Sequence, residues 1–258
     1  MSPHDHPNDH PADRSDDQHN HDWTDEAFVA DWLARRDGHA ERRHRQFAIV
    51  RAVIAKRPDQ EFRYLNLAAG PGELDEMLLE RFPGAVATLV DVSLPLLGAA
   101  RQRLERFDHR VEYVHASLAT QDWAGGVGSG FDFAISTNSL HHLAAPERVG
   151  ALYRETFALL GHGGILLNLD RVRPEDAMLA PLAEWASRDP DAGLEGASGS
   201  FPAMLPVSQH LTFLRKAGFD DAEVLWKDLS HALLFAVRDH FHMPEAAHST
   251  NAGHSHAH

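Results

Sequence analysis

Cysteine is absent from this 258-residue chain and methionine occurs only five times. That removes disulfides, thiolate nucleophiles, iron–sulfur clusters and cysteine-type zinc sites. Cationic side chains are scarce too: 24 Lys and Arg stand against 38 Asp and Glu, a formal charge of −14 with histidine neutral. So acidic a chain repels a phosphate backbone instead of releasing its counterions, which argues against nucleic acid as a partner. No stretch approaches the roughly 18 consecutive apolar residues of a membrane span. The opening residues, Ser2-Pro3-His4-Asp5-His6 after Met1, carry no apolar leader core. The expectation is a soluble, cytoplasmic protein without a membrane partner; its oligomeric state is not legible.

Apolar residues are also missing from both ends. Residues 1–22 hold five His, six Asp and three Pro, and residues 240–258 hold six His among small and polar residues. Neither offers enough apolar area to offset the entropy of ordering, so both read as disordered tails around a folded domain at 23–239. Tail histidines such as His4, His6, His254, His256 and His258 are weak ligands for Zn, Ni or Cu, without fixed geometry. No metal site is expected inside the folded domain.

Within the domain the pattern alternates. Helical spacing predicts helices over 23–37 and 41–56, then a strand at 62–67, a helix at 72–82, a strand at 85–90, a helix at 95–107 and a strand at 111–115. The apolar run 131–136 reads as a buried strand. Residues 146–160 form a helix opened by Pro146 and closed by Gly161, Gly163 and Gly164, and 165–169 form another strand. After a helix at 206–217, the β-runs 222–226 and 232–237 are joined too closely for a helical crossover and must pair antiparallel. The fold class is α/β: a Rossmann-like seven-stranded sheet, mostly parallel with an antiparallel C-terminal hairpin strand and helices on both faces.

The strand ending at Leu67 runs into Ala68-Ala69-Gly70-Pro71-Gly72 and then a helix, a geometry that lets a ligand approach backbone N–H groups. Nineteen residues beyond Gly72, Asp91 ends the next strand, where a carboxylate accepts hydrogen bonds from vicinal ribose hydroxyls. A glycine turn or an Asp taken alone serves the backbone as often as a ligand; their order and spacing point to a nucleoside-containing one. Asp75 stands where a dinucleotide fingerprint needs its third glycine, which disfavours NAD and FAD.

These segments resemble the class I S-adenosylmethionine-dependent methyltransferases over about residues 40–239. LNLAAGPGEL is similar to their first motif, LVDVSLPLLGAARQRL to the second-strand motif, VEYVHASL to the third and FDFAISTNSLHHL to the fourth. LLGHGGILLNLD and LRKAGFDDAEVLWKDLSHALLFAVR resemble the fifth-strand and closing-hairpin segments. The resemblance implies S-adenosylmethionine as methyl donor and S-adenosylhomocysteine as product, with no metal required. It places Gly70 and Gly72 by the methionine moiety, Asp91 on the ribose, Val92 beside the adenine, and Ser117 and the Leu118 N–H at the adenine edge. Asn66 stands where the family has an acid, Ala68 where it has glycine and Ser117 where it has Asp. Ser136 opens the segment that the family sets beside the reacting methyl group.

Methyl transfer from a sulfonium needs a positioned nucleophile and exclusion of water more than it needs a base. No Asn/Asp-Pro-Pro-aromatic tetrapeptide follows the fourth strand, which with the charge points to a small-molecule acceptor. His141 is the candidate for substrate contact or base, against an ordinary packing role, and His142 is expected to be structural. Arg43 shares a helix face with Phe47, Val50 and Ile54 and is a candidate for the cofactor carboxylate, or an ordinary solvated cation. An insertion at 171–205, with an amphipathic stretch at 176–185 and with Trp185, Phe201 and Met204, is a candidate substrate lid. A second reading is a non-catalytic cofactor-binding or metal-binding accessory protein acting through its His-rich tails.

Overall fold

The computed structural model describes residues 22–186 and 204–240; the two terminal segments, Phe201 and the tail histidines lie outside the described residues. Strands β1 (Phe62–Leu67), β2 (Ala85–Asp91), β3 (Val111–His115), β4 (Phe131–Thr137), β5 (Leu160–Arg171), β6 (Asp221–Lys227) and β7 (His231–Val237) form one sheet. Their order is β3-β2-β1-β4-β5-β7-β6. β7 runs antiparallel to both neighbours and the other six strands are parallel. The central strands are apolar runs because both faces are covered. One face packs under α2 (Ala40–Ala52) and α3 (Glu73–Arg81) through Phe47, Val50, Leu74 and Leu78. The other packs under α5 (Pro146–Leu159) and α7 (Val207–Ala217) through Val149, Leu152, Tyr153 and Leu214.

Connectivity reverses beside β1, which pairs with β2 on one side and β4 on the other. Leu67 lies opposite both Val90 and Ser136, so the segments leaving β1, β2 and β4 emerge side by side. That is where an open α/β sheet leaves a crevice. Gly72, at φ +74°, is the N-cap of α3; a Cβ there would lie 3.1 Å from Leu104 Cδ1 and 3.2 Å from Ala100 Cβ. Only glycine lets this turn pack so close to α4 (Leu94–Arg103), which is itself capped by the Ser93 hydroxyl accepting the Leu96 N–H. Helix α1 (Glu26–Arg35), capped by the Asp25 carboxylate, lies over the crevice and touches α4.

The helices expected over 23–37 and 41–56 are shorter, Glu26–Arg35 and Ala40–Ala52, and three further stretches differ from the sequence expectation. Helix α5 stops at Leu159 and β5 begins at once, so Gly161, Gly163 and Gly164 lie in the strand. There the β4 register jumps from Phe131↔Leu160 to Phe133↔Ile165, and the glycines fill a bulge where a Cβ on Gly164 would meet Gly161 O at 2.8 Å. The helix expected over 95–107 ends at Arg103, and a 3-10 turn at Glu105–Arg110 follows. The Arg110 guanidinium holds that turn by donating to the carbonyls of Leu79, Phe82, Pro83 and Ala85. The expected amphipathic stretch at 176–185 is a 3-10 turn and a short helix, α6 (Ala180–Ala186), with Met178, Leu182 and Trp185 exposed. No helix among the described residues is long and apolar enough to cross a membrane.

Candidate functional site

A cavity of about 280 Å³ opens at the carboxyl ends of β1, β2 and β4. Its floor is the turn after β1, where Ala68 (φ +55°) and Gly70 (φ +60°) both take left-handed backbone. Asn138, after β4, does the same at φ +51° and also lines the cavity. Left-handed conformations cost energy for residues with a Cβ and cluster where the surrounding structure enforces them for function. A Cβ on Gly70 would meet no atom within 4 Å, so the space before that backbone is open to a ligand.

Asp91 forms the far wall. Its Oδ2 accepts the Gly70 N–H at 2.8 Å and its Oδ1 accepts the Ser93 N–H at 2.8 Å. Burial raises the pKa of this carboxyl, and the backbone N–H groups pull the other way. Each oxygen keeps a second acceptor site, which suits a vicinal diol. Val92, Leu96, Ser117, Leu118 and Ala119 continue the wall. The Ser117–Ala119 stretch is held from behind by Arg148, whose Nε donates to Leu118 O at 2.6 Å and Nη2 to Thr120 O at 2.8 Å. Glu155 accepts from Arg148 at 2.6 Å and from Trp123 Nε1 at 2.5 Å.

A charged cluster closes the methionine end of the expected cofactor path. Glu73 Oε2 accepts from Arg36 Nη2 at 2.8 Å and from Arg43 Nε at 3.0 Å, and Arg43 Nη1 donates to Arg36 O at 2.6 Å. Burial pushes the Glu73 carboxyl up, but the two guanidiniums outweigh it and hold it below its usual range. Arg36 also stacks on Trp32, 4.5 Å from the ring centroid. Trp23, Trp32, His142 and Leu143 complete the wall beneath α1.

Of the residues expected at the site, Arg43, Ala68, Gly70, Asp91, Val92, Ser117 and Leu118 line the cavity. Asn66, Gly72 and Ser136 do not. Asn66 lies beneath the turn, donating through Nδ2 to both oxygens of Asp75 at 3.1 and 2.9 Å. Ser136 is fully buried against Ser139, Oγ to Oγ at 2.7 Å, and Gly72 serves the α3–α4 contact. His141 is 3% exposed and is turned away from the wall. Its Nδ1 lies 2.5 Å from Asp170 Oδ1 and its N–H donates to Asp170 Oδ2. Burial alone would raise the Asp170 carboxyl, but the imidazole beside it draws its pKa down. The 3-10 turn Leu140–His142 thus presents His142, not His141, to the cavity. The described part of the expected lid contributes nothing to the wall; α1 covers it instead. Glu73, Arg36, Trp23 and Trp32 were not anticipated as site residues. Arg36 and Arg43 lie on either side of the junction between a 3-10 turn at Arg36–His39 and α2, so no helical periodicity in the sequence pairs them.

An open, left-handed turn, a buried carboxylate at the end of β2 and a sheet of this order form a Rossmann-like crevice. Residues 65–166 match the family model described as a methyltransferase domain. The chain is 36% identical over 102 residues to trans-aconitate 2-methyltransferase of Paracidovorax citrulli, covering 40% of this chain and 36% of that one. It is 28% identical over 138 residues to the ubiquinone/menaquinone biosynthesis C-methyltransferase UbiE of Cereibacter sphaeroides, covering 52% and 49%. The alignments therefore span half or less of these relatives. Among solved structures, human N-acetylserotonin methyltransferase in complex with SAM shares the fold at TM-score 0.53 and 16% identity, over 76% of this chain and 51% of that one. Over residues 65–166 the chain is thus similar to methyltransferase domains, and its sheet has the fold that they share.

Proposed function

We propose that the protein transfers a methyl group from S-adenosylmethionine to a small-molecule acceptor. The carrying observation is that one cavity joins two unlike walls: the Gly70 turn with Asp91 and Ser117–Ala119, and the largely apolar chamber beneath α1. Bound S-adenosylmethionine supplies an electrophilic methyl carbon on a sulfonium, and transfer breaks that C–S bond with its electron pair left on sulfur.

The residues fit this group. Asp91 holds the ribose hydroxyls, Val92 and Leu118 flank the adenine, and the Arg36–Glu73–Arg43 cluster, with one cation in excess, meets the methionine carboxylate. Trp23, Trp32 and Leu143 keep water from the reacting carbon, which the displacement needs more than a base. Such chemistry requires no metal, and the enclosed cavity favours a small acceptor over nucleic acid; we read the protein as cytoplasmic. The relatives named for trans-aconitate and quinones support a small-molecule acceptor. Calorimetric titration of S-adenosylmethionine and S-adenosylhomocysteine into the full chain tests this. A one-to-one complex in the micromolar range is expected. No heat and no thermal shift with millimolar ligand would overturn the reading and leave the non-catalytic alternative.

A further inference from the structure

The acceptor end of the cavity is unusually aromatic. Trp23 meets Trp32 edge to face at 5.2 Å between centroids, and meets His142 at 5.5 Å and 72°. All three line the same cavity, together with the apolar Leu140 and Leu143. Rings held perpendicular to one another offer both a face and an edge to a third ring, the arrangement aromatic pairs prefer.

Charge narrows the choice of occupant. The charged residues of the wall are Arg36, Arg43, Glu73 and Asp91, whose formal charges cancel, and Glu73 is already paired with both arginines. A polycarboxylate brought into this chamber would lose its hydration without finding matching cations, which is costly. An uncharged ring incurs no such cost. Two polar atoms of wall residues, Arg36 Nε and Asn138 Oδ1, lack a hydrogen-bond partner, but both are buried out of reach of the cavity, so the rings and the charge balance decide the occupant.

We propose that Trp23, Trp32 and His142 form an acceptor subsite for an uncharged aromatic ring. This rests on the methyl-transfer reading and specifies its substrate class. It sets the chain apart from a relative named for trans-aconitate, a polyanion.

The test uses the full chain saturated with S-adenosylhomocysteine, with 1-naphthol and trans-aconitate as probes, read by equilibrium dialysis and tryptophan quenching. Saturable one-to-one binding of naphthol is expected, weakened roughly tenfold in Trp32→Leu. Trp32→Phe, which keeps a ring and reports on folding, should restore most of the affinity. Trans-aconitate should neither bind nor displace naphthol. Saturable binding of trans-aconitate, or naphthol affinity unchanged in the Leu variant, would overturn the subsite. Failure of naphthol to bind while S-adenosylhomocysteine binds would overturn the subsite alone. Naphthol binding without any S-adenosylhomocysteine binding would overturn methyl transfer and leave the aromatic subsite standing.

Discussion

The Gly70 N–H donates to Asp91 Oδ2 across 2.8 Å, tying the turn after β1 to the end of β2. Asp91 therefore shapes the turn that floors the cavity as well as lining the cavity itself. Asp91→Ala removes the diol acceptor and frees the turn, so S-adenosylmethionine affinity should fall by roughly 100-fold, a loss of about 2.7 kcal/mol. The ionised carboxylate is the form that accepts hydroxyl hydrogens, and burial raises its pKa. Affinity should accordingly weaken as pH falls through a value above the usual carboxylate range. Calorimetry across that range checks both; unchanged binding in the variant would remove Asp91 from the site.

Asn66 stands where the family carries an acid, and the structure shows why an acid is unwelcome here. Asp75 faces it, fully buried, taking hydrogen bonds from Asn66 Nδ2 and from the Tyr64 hydroxyl at 3.1 Å. Burial pushes Asp75 up to about 6. Asn66→Asp would set two carboxylates against each other about 3 Å apart, so one must hold a proton. That substitution, which restores the family residue, should destabilise the fold at pH 7.5 by roughly 3 kcal/mol and recover in part at pH 5.5, measured by urea unfolding.

Much of this fold is legible in the sequence because its strands are buried on both faces. β1 and β3 begin and end where the apolar runs do, and the hairpin of β6 and β7 follows from a connection too short for a helix. The bulge at Gly161–Gly164 is not legible, since glycine punctuates helix ends and strand irregularities alike. The wall at Gly70 and Asp91 was readable because it lies at strand ends in fixed order. The wall beneath α1 was not: Trp23 and Trp32 reach it only through the placement of α1, which tertiary contacts decide. The choice between His141 and His142 depends on a three-residue turn with no periodicity to assign its faces.

Arg148 touches no part of the cavity yet fixes one of its walls. Its fork holds Leu118 O, Thr120 O and Glu155 at once, with the side chain only 11% exposed. Arg148→Lys keeps the charge but cannot reproduce three directions of donation. The expected result is a five- to tenfold rise in the Michaelis constant for S-adenosylmethionine, roughly, with turnover nearly unchanged. Hydrogen exchange at residues 117–120 should speed up in parallel. A fall in turnover alone would mean that the loop is positioned by something else.

His210 provides a separate pH signature. Asn168 Nδ2 donates to the Tyr153 hydroxyl at 3.0 Å, and that hydroxyl shares a hydrogen bond with His210 Nδ1 at 2.8 Å. Burial drives its pKa down to about 4, against a smaller upward pull from Asp170. Between about 4 and its ordinary 6.5, the unfolded chain takes up a proton that the native ring refuses. Stability is therefore present above pH 6.5 and is lost as pH falls through this window. The loss approaches roughly 3 kcal/mol near pH 4. Asp75 works in the opposite sense over nearly the same range, because its raised pKa makes the native state the better proton binder. The two nearly offset each other, so the wild-type curve hides both. His210→Gln keeps an acceptor for Tyr153 and cannot titrate, which leaves the Asp75 contribution exposed. Unfolding curves at pH 7, 5.5 and 4 should show the variant losing less stability on acidification than the wild type, by roughly 3 kcal/mol at the lowest pH. Parallel curves would mean that His210 is protonated in the native fold and that Tyr153 does not donate to it.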